Sequence, residues 1–260
     1  MNSGSLSTWK DALLDLGMAA EESAAPFVPQ GEFRMSIDQF RTDAERALRV
    51  LEHPLLDYFI PRLEQAPGRW HPSGYAVFPL GRHSELGRLR LHIWPAGLRR
   101  QEQRPPGERD IHDHVMHIAS LVVAGVYRDR FYQVTPVELE LEAEDCPPAG
   151  IFRVFAAIDH QPAARGIGPT GLTVRAIPGP VRRVQTGESH FIPCGPFHQP
   201  MIPPEALAVT LLFSSPPLKD QGPYVLVAGP AAPIAGRERR VSRMDAARLT
   251  SDVLRSRNRV

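Results

Sequence analysis

Three histidines in this sequence are spaced so that they could bind one metal ion. His112 and His114 are separated by one residue, and in an extended strand such residues point to the same face of the sheet. His198 follows a Pro/Gly-rich turn much further along the chain, where it could complete the site from a neighbouring strand. Three imidazoles leave coordination positions open for water, oxygen or substrate, which is typical of a catalytic metal rather than a structural one.

The segment that ends at His198 resembles the second motif of the cupin superfamily. It contains, in the spacing of that motif, Gly187, five residues, Pro193, one residue, Gly195, two residues and His198. The asparagine that ends the motif is absent, since Ile202 stands at its position. The resemblance implies that His198 is a metal ligand.

The segment around His112 resembles the first cupin motif more loosely. Gly107 is followed by four residues, rather than five, before His112, and Gly125 stands where that motif ends in a glycine. Ile118 and Ala119 occupy the place of the glutamate in the motif. The resemblance therefore implies a metal site made of three histidines, with no acidic ligand from this segment.

Cupins that use three histidines alone are best represented by thiol dioxygenases, which bind ferrous iron. The segments His92–Gly97 and Ile111–His114 also resemble a tryptophan-containing strand and an Ile-His-Asp-His sequence of cysteine dioxygenase. Ala119 stands near the cross-linked cysteine of that family, and no arginine stands where the family binds its substrate carboxylate. The resemblance, which covers roughly residues 88–228, thus implies the metal ligands and Fe(II), and it does not extend to the substrate.

The region after residue 75 has the pattern of an all-β domain. Short β-type runs are separated by Gly and Pro, with no helical segment between them, which is typical of a closed barrel. Together with the resemblance, this pattern predicts a mainly β fold, a cupin-type double-stranded β-helix or jelly-roll barrel with N-terminal helices and a short C-terminal helix. The predicted strands span residues 75–80, 88–95, 111–124, 126–134, 150–158, 171–177, 181–185, 188–193, 197–202, 206–214 and 223–228.

Helical patterns flank the β region. Ser36 can cap a helix that runs to about Glu52, and a second helical stretch over 55–63 follows a predicted break at Pro54. Ser242 can cap a C-terminal helix. The apolar face of this helix is predicted to contain Met244, Ala247, Leu249 and Val253.

These patterns divide the chain into three parts. Residues 1–70 form an N-terminal helical extension packed on the barrel, residues 71–230 form the cupin domain, and residues 231–260 form a basic C-terminal tail with a short helix. A basic run at a terminus is usually solvated. Packing on the barrel or a dimer contact is the alternative.

The strand predicted at 88–95 has one polar and one apolar face. Arg90, His92 and Trp94 share one face, and Leu89, Leu91 and Ile93 share the other. If the polar face lies inside the barrel, Arg90 could bind a substrate carboxylate, His92 could carry a proton and Trp94 could form an aromatic wall. If the apolar face forms the core, the polar side chains point outward. We take Arg90 and His92 as the candidate catalytic residues, and Trp94 as a neighbour of the site.

Other residues near the motifs could support the metal ligands. His117 lies three residues after His114, so regular alternation places it on the opposite face. His190 and Cys194 lie inside the second motif. We take His117, His190 and Cys194 as candidates for contacts behind the ligands or for packing, and His71, in a loop, as solvated.

The composition is that of a water-soluble protein. The net charge of +1 gives no reason to expect a nucleic acid or an acidic membrane as partner. No apolar run approaches the ~20 residues needed to cross a bilayer, and no signal peptide is recognisable. Cys146 and Cys194 are too few for a disulfide framework. We therefore expect a cytoplasmic protein, and because cupins are commonly dimers a homodimer stays open.

The expected reaction follows from the charge of the site. Three neutral imidazoles leave Fe(II) its full positive charge, so we expect a dioxygenase that uses O2 on a small polar substrate, such as a thiol or an amino-acid derivative. One alternative is a non-oxidative cupin, an isomerase, decarboxylase or lyase in which zinc, nickel or manganese acts as a Lewis acid. The other is a metal-binding sensor that has the barrel without the chemistry.

Overall fold

The computed structural model describes most of the chain between residues 35 and 257. The described residues are 13, 18–20, 35–71, 73–97, 111–139, 141–142, 145, 147–158, 166–220, 222–230 and 239–257. Gly107 and Cys146, which were discussed from the sequence, lie outside the described residues.

The described strands form one large antiparallel sheet, which confirms the predicted mainly β class. Its order is β11-β6-β7-β5-β10-β4-β3-β2-β12; β1 also pairs with β3, while β8 and β9 pair with β5. The strands are β1 (Met18–Ala20), β2 (Arg69–Trp70), β3 (Ala76–His83), β4 (Gly87–Trp94), β5 (Ile118–Pro136), β6 (Ile151–Ile158), β7 (Gly166–Gln185), β8 (Ser189–Ile192), β9 (His198–Pro200), β10 (Ala208–Ser214), β11 (Tyr224–Val227) and β12 (Arg239–Arg240).

Strand β5 joins two parts of this sheet. Residues 118–125 pair with β8 and β10, and residues 126–136 pair with β7 and β9. The predicted division into two strands near Gly125 is wrong. Gly125 takes a φ of 77° beside a register shift between β5 and β10, so the strand bends at this bulge without ending.

Strand β7 is also continuous where the sequence predicted two strands. Pro178 lies opposite Tyr132, next to a register shift between Arg130 and Tyr132. The irregularity in β5 accommodates a proline that has no N–H to donate to the ladder. The long β5–β7 pair therefore extends past the proline.

The N-terminal helical layer begins at the predicted cap. Helix α1 spans Ile37–Pro54, and the Ser36 side chain accepts a hydrogen bond from the Gln39 N–H. The predicted break at Pro54 is wrong, because Pro54 is the last helical residue and the chain continues through a π-helical turn (Leu55–Phe59) and a 3-10 helix (Ile60–Gln65). A proline removes one backbone donor, and the wider turn that follows it keeps the chain helical.

The C-terminal helix α2 spans Arg243–Arg257 and packs on this layer. Ser242 caps it by accepting a hydrogen bond from the Asp245 N–H at 3.0 Å, and the Thr250 hydroxyl donates to the Ile60 carbonyl. The predicted apolar face is partly wrong, since Met244 is 62% exposed and Ala247 is also exposed. The buried face instead contains Ala246, Leu249 and Val253, which follow the i, i+3, i+7 spacing of a helix.

The helices cover one face of the sheet. On β4 this face carries Leu89, Leu91 and Ile93, which join one apolar cluster with α1 and α2. Side chains alternate along a strand, so Arg90 and His92 point to the opposite face, which we call the inner face. Among the described residues, no helix combines the length and apolar character needed to span a bilayer.

Candidate metal centre

The three predicted ligands come together from an irregular segment, which holds His112 and His114, and from the start of β9, which holds His198. The prediction that a strand starts at residue 111 is wrong, because β5 begins at Ile118. His112 forms isolated β-bridges with His198 and with Val225. The His112 N–H donates to the His198 carbonyl at 3.0 Å, and the His198 N–H donates to the His112 carbonyl at 2.8 Å. This reciprocal pair holds the two backbones side by side.

The rings of His112, His114 and His198 form a compact triad. Their centroids lie 4.7–5.0 Å apart, and their candidate ligand atoms all lie within 4.8 Å of one another. The Nε2 atoms of His114 and His198 are 2.9 Å apart. His198 is only 2% exposed. The group could hold one metal ion.

The triad is electrically suited to a cation. Burial lowers the pKa of His114 and of His198 well below the usual value, and repulsion from His112 lowers both further. These imidazoles are therefore neutral at pH 7, and a neutral imidazole has the lone pair that a metal ligand needs.

Asp113 points away from the triad, as alternation requires. Its Oδ1 accepts a hydrogen bond from the Tyr224 N–H at 2.6 Å, and its Oδ2 lies 3.9 Å from the Lys219 ammonium. Burial raises the pKa of this carboxyl group, against the opposing effects of the Tyr224 N–H and Lys219. Asp113 thus ties the triad segment to β11.

The inner face of β4 brings the two candidate catalytic residues towards the triad. The His92 ring lies 4.9 Å from Tyr75 and 5.6 Å from Trp94. Burial lowers the pKa of His92, and the positive charge of Arg90 lowers it further. Arg90 acts in the same direction on His114. Both residues therefore lie within electrostatic range of a triad histidine, and the apolar face of β4 is the one covered by helices.

His190 also lies on the inner side, behind His198. Its ring stacks on Tyr127 at 4.4 Å. Burial, assisted by Arg182, lowers the pKa of His190 to about 3, and His190 in turn lowers the pKa of His198. Trp94 contacts Tyr127 edge-on at 5.5 Å. The rings of Trp94, Tyr127 and His190 thus form a continuous wall that reaches the triad.

His117 and Cys194 lie on the helix side. The His117 ring is 6.0 Å from Phe40 of α1 and 5.6 Å from Phe191, and its Nδ1 accepts a hydrogen bond from the Cys194 N–H at 3.0 Å. Burial raises the pKa of the Cys194 thiol. These contacts describe a packing role for His117.

Sequence reasoning missed His71 and Tyr75. The expectation that His71 is solvated is wrong: its ring stacks on Tyr75 at 4.3 Å, and burial lowers its pKa to about 3. The charges of Arg69 and Arg90 contribute to the same shift. The turn between β2 and β3 creates this contact, and the only sequence signal for it was the nearby Gly74, which takes a φ of 81°.

Comparison with known proteins gives little further information. The sequence matches no protein-family profile and no curated protein. Among solved structures, it is similar to CENP-C from Drosophila melanogaster in a complex with CAL1, with 10% identity and a TM-score of 0.31, over 62% of this chain and 93% of that one. Likeness at this level carries no argument about fold or function.

Proposed function

We propose that the chain is a cupin-type metalloenzyme built on a jelly-roll barrel. Two facts support this proposal. The chain folds into one large antiparallel sheet, and the three histidines at cupin-motif positions converge in space. The convergence of three imidazoles beside the inner face carries the proposal.

The donor set suits a divalent transition metal. An ion that accepts lone pairs from His114 and His198 would satisfy the two Nε2 atoms that lie 2.9 Å apart, and His112 would supply a third. Imidazole ligands suit Fe, Zn, Ni and Cu. We propose Fe(II) as the working metal, because three histidine ligands with no carboxylate among them would leave the ion its full charge and open positions.

The proposed reaction is the oxidation of a small polar substrate by O2. Bound Fe(II) would supply open coordination positions for the substrate and O2. The chain itself would bind and orient the substrate. Arg90 would bind an anionic group of it, while the neutral His92 would accept a proton or a hydrogen bond from it. Trp94 and Tyr75, both buried, would exclude water from this side. The proposed substrate class is a small polar carboxylate, such as a thiol, amino-acid or hydroxy-acid derivative.

Anaerobic purification with metal analysis, followed by oxygen uptake, tests this function. Protein loaded with Fe(II) should consume O2 when given a member of a panel of small thiols, amino acids and hydroxy acids, and Zn(II)-loaded protein should not. The matched control is the His198→Ala variant treated in the same way. Equal substrate turnover under argon, or with Zn(II) in place of Fe(II), would instead establish a non-oxidative isomerase, decarboxylase or lyase. Stoichiometric metal without turnover of any compound would favour a sensor.

A further inference from the structure

The inner face carries two pairs of polar residues that lie side by side on neighbouring strands. Thr210 of β10 is directly opposite His92 of β4. Ser120 of β5 is directly opposite His190 of β8. Residues paired in this way point to the same face of an antiparallel sheet. We call these four residues the polar floor.

Three residues of the polar floor are buried and His92 is half-buried, and each of the four has one buried polar atom without a hydrogen-bond partner among the described residues. Ser120 and Thr210 are each 1% exposed, and His190 is 8% exposed. Four buried atoms of the floor have no hydrogen-bond partner among the described residues: Ser120 Oγ, Thr210 Oγ1, His92 Nε2 and His190 Nδ1. A buried polar group without a partner is destabilising, so four in one patch indicate a surface shaped for a polar ligand.

The floor lies next to the triad. The Phe131 ring lies 6.0 Å from the His198 ring, and it packs against the apolar cluster that contains Leu212. Leu212 is directly opposite Ser120 on the sheet. In line with this placement, the charge of His114 acts on His92 and that of His190 acts on His198. A small molecule at the triad would therefore be close to the floor.

We propose that the polar floor binds the hydroxyl groups of the substrate, and that the substrate is a small hydroxylated carboxylate. This inference rests on the proposed function, because it assigns a substrate class to the same site. Ser, Thr and a neutral His can each donate or accept a hydrogen bond. Such groups complement a hydroxyl, which also does both, whereas a bare anion only accepts and an ammonium only donates.

The carboxylate has its own position beside the floor. Arg90 lies on the inner face of β4, two residues before His92, and it is opposite Leu212. Arg69 is opposite Val77, which is opposite His92. The charges that act on His92 include both arginines, and both lower its pKa. This corner of the inner face is therefore positive and suits an oxyanion.

Binding measured without turnover tests the proposal. Calorimetric titration of the metal-loaded protein under argon would compare glycerate with propionate, which lacks the hydroxyls, and with glycerol, which lacks the charge. Glycerate should bind at least about 10-fold more tightly than either, because one hydrogen bond contributes about 3- to 10-fold and more than one is expected. Because no O2 is present, a failed oxygenase assay would leave this result intact.

Substitution of one floor hydroxyl gives a second measurement. Thr210→Val replaces the hydroxyl by a methyl group, and it should weaken glycerate about 3- to 10-fold while propionate affinity stays the same. Thr210→Ser should restore glycerate binding. The Tm of the ligand-free Thr210→Val protein should not fall, since the Thr210 hydroxyl has no hydrogen-bond partner among the described residues. If this hydroxyl had a purely structural role, its removal would lower the Tm.

The matched control is Ser189→Ala. Ser189 precedes His190 on β8, and its hydroxyl lies on the helix side, 3.5 Å from the Arg49 guanidinium. This variant should leave glycerate affinity unchanged, and Ser120→Ala should reduce it. Equal affinities for glycerate and propionate, no binding of glycerate, or an unaltered affinity in Thr210→Val would each overturn the proposal.

Discussion

At the scale of single residues, the triad depends on imidazoles held together by backbone pairing. Reciprocal backbone hydrogen bonds join His112 and His198, and their rings lie 4.7 Å apart. This pairing is an isolated β-bridge rather than part of a longer ladder. His114 enters from the same segment, with its Nε2 facing that of His198. Each ring therefore supplies a separate donor, and loss of one should leave too few protein ligands for tight metal binding.

The first prediction is that His198→Ala loses stoichiometric metal. The variant keeps the backbone pairing of His198 with His112, because alanine retains the N–H and the carbonyl, so the fold should persist. Metal content after anaerobic loading and dialysis should fall from one equivalent to well below it. His53→Ala, at an exposed histidine near the end of α1, should retain one equivalent. Full metal content in a variant with all three triad histidines replaced would show that the site lies elsewhere.

At the scale of elements, the bend in β5 decides how the two parts of the sheet meet. A Cβ at Gly125 would lie 2.0 Å from the Leu207 carbonyl oxygen, so the backbone of β10 leaves no room for a side chain. The same residue has a φ of 77°, which disfavours any L-amino acid. Gly125 therefore permits both the close approach and the bend.

The second prediction compares two glycines of positive φ. Gly125→Ala should destabilise by about 3 kcal/mol, the sum of the backbone cost and the clash. Gly171→Ala, where φ is 84° and nothing lies within 4 Å of the new Cβ, should lose about 1–2 kcal/mol from the backbone alone. Urea denaturation measures both free energies of unfolding. Equal losses in the two variants would mean that the Leu207 carbonyl moves aside freely.

The third prediction concerns the docking of α2. Leu249 is fully buried in the cluster that also contains β4 and α1, so Leu249→Ala should cost about 2–5 kcal/mol. Met244, on the opposite side of the helix and 62% exposed, should tolerate alanine within about 0.5 kcal/mol. Thermal denaturation of the two alanine variants measures both losses of stability. Similar small effects for both would indicate that α2 is not docked in solution.

At the scale of the whole molecule, the features that depend on local sequence patterns were predictable, and those that depend on long-range pairing were not. The triad residues were predictable because each lies in one of two short motifs, whose internal spacing is local. The continuity of β5 and β7 was not, since Gly125 and Pro178 usually interrupt strands and only pairing with a neighbouring strand accommodates them here. The buried state of His71 was also not predictable, because it depends on stacking against Tyr75 across a turn.

The polar inner face gives the molecule a predictable response to acid. Burial is the first cause that lowers the pKa of His71, His92, His114, His190 and His198. A histidine whose pKa is lower in the folded than in the unfolded protein binds protons preferentially when unfolded. The stabilising contribution of these histidines is therefore fully present above their pKa in the unfolded protein, about 6.5. It is lost as the pH falls towards the pKa in the folded protein, which is about 3 for His190.

The fourth prediction follows for the chelator-treated protein, in which no metal competes with protons. The free energy of unfolding should fall by at least about 2 kcal/mol between pH 7 and pH 5, since each fully buried neutral histidine contributes up to about 1.4 kcal/mol per pH unit below 6.5. His190→Asn should reduce the slope between pH 6 and pH 5 by about 1.4 kcal/mol per unit. Burial raises the pKa of Asp113, so this carboxyl group acts in the opposite direction and would offset part of the loss at acidic pH. A free energy of unfolding that is flat over this interval would mean that the inner-face histidines are hydrated and protonate without unfolding.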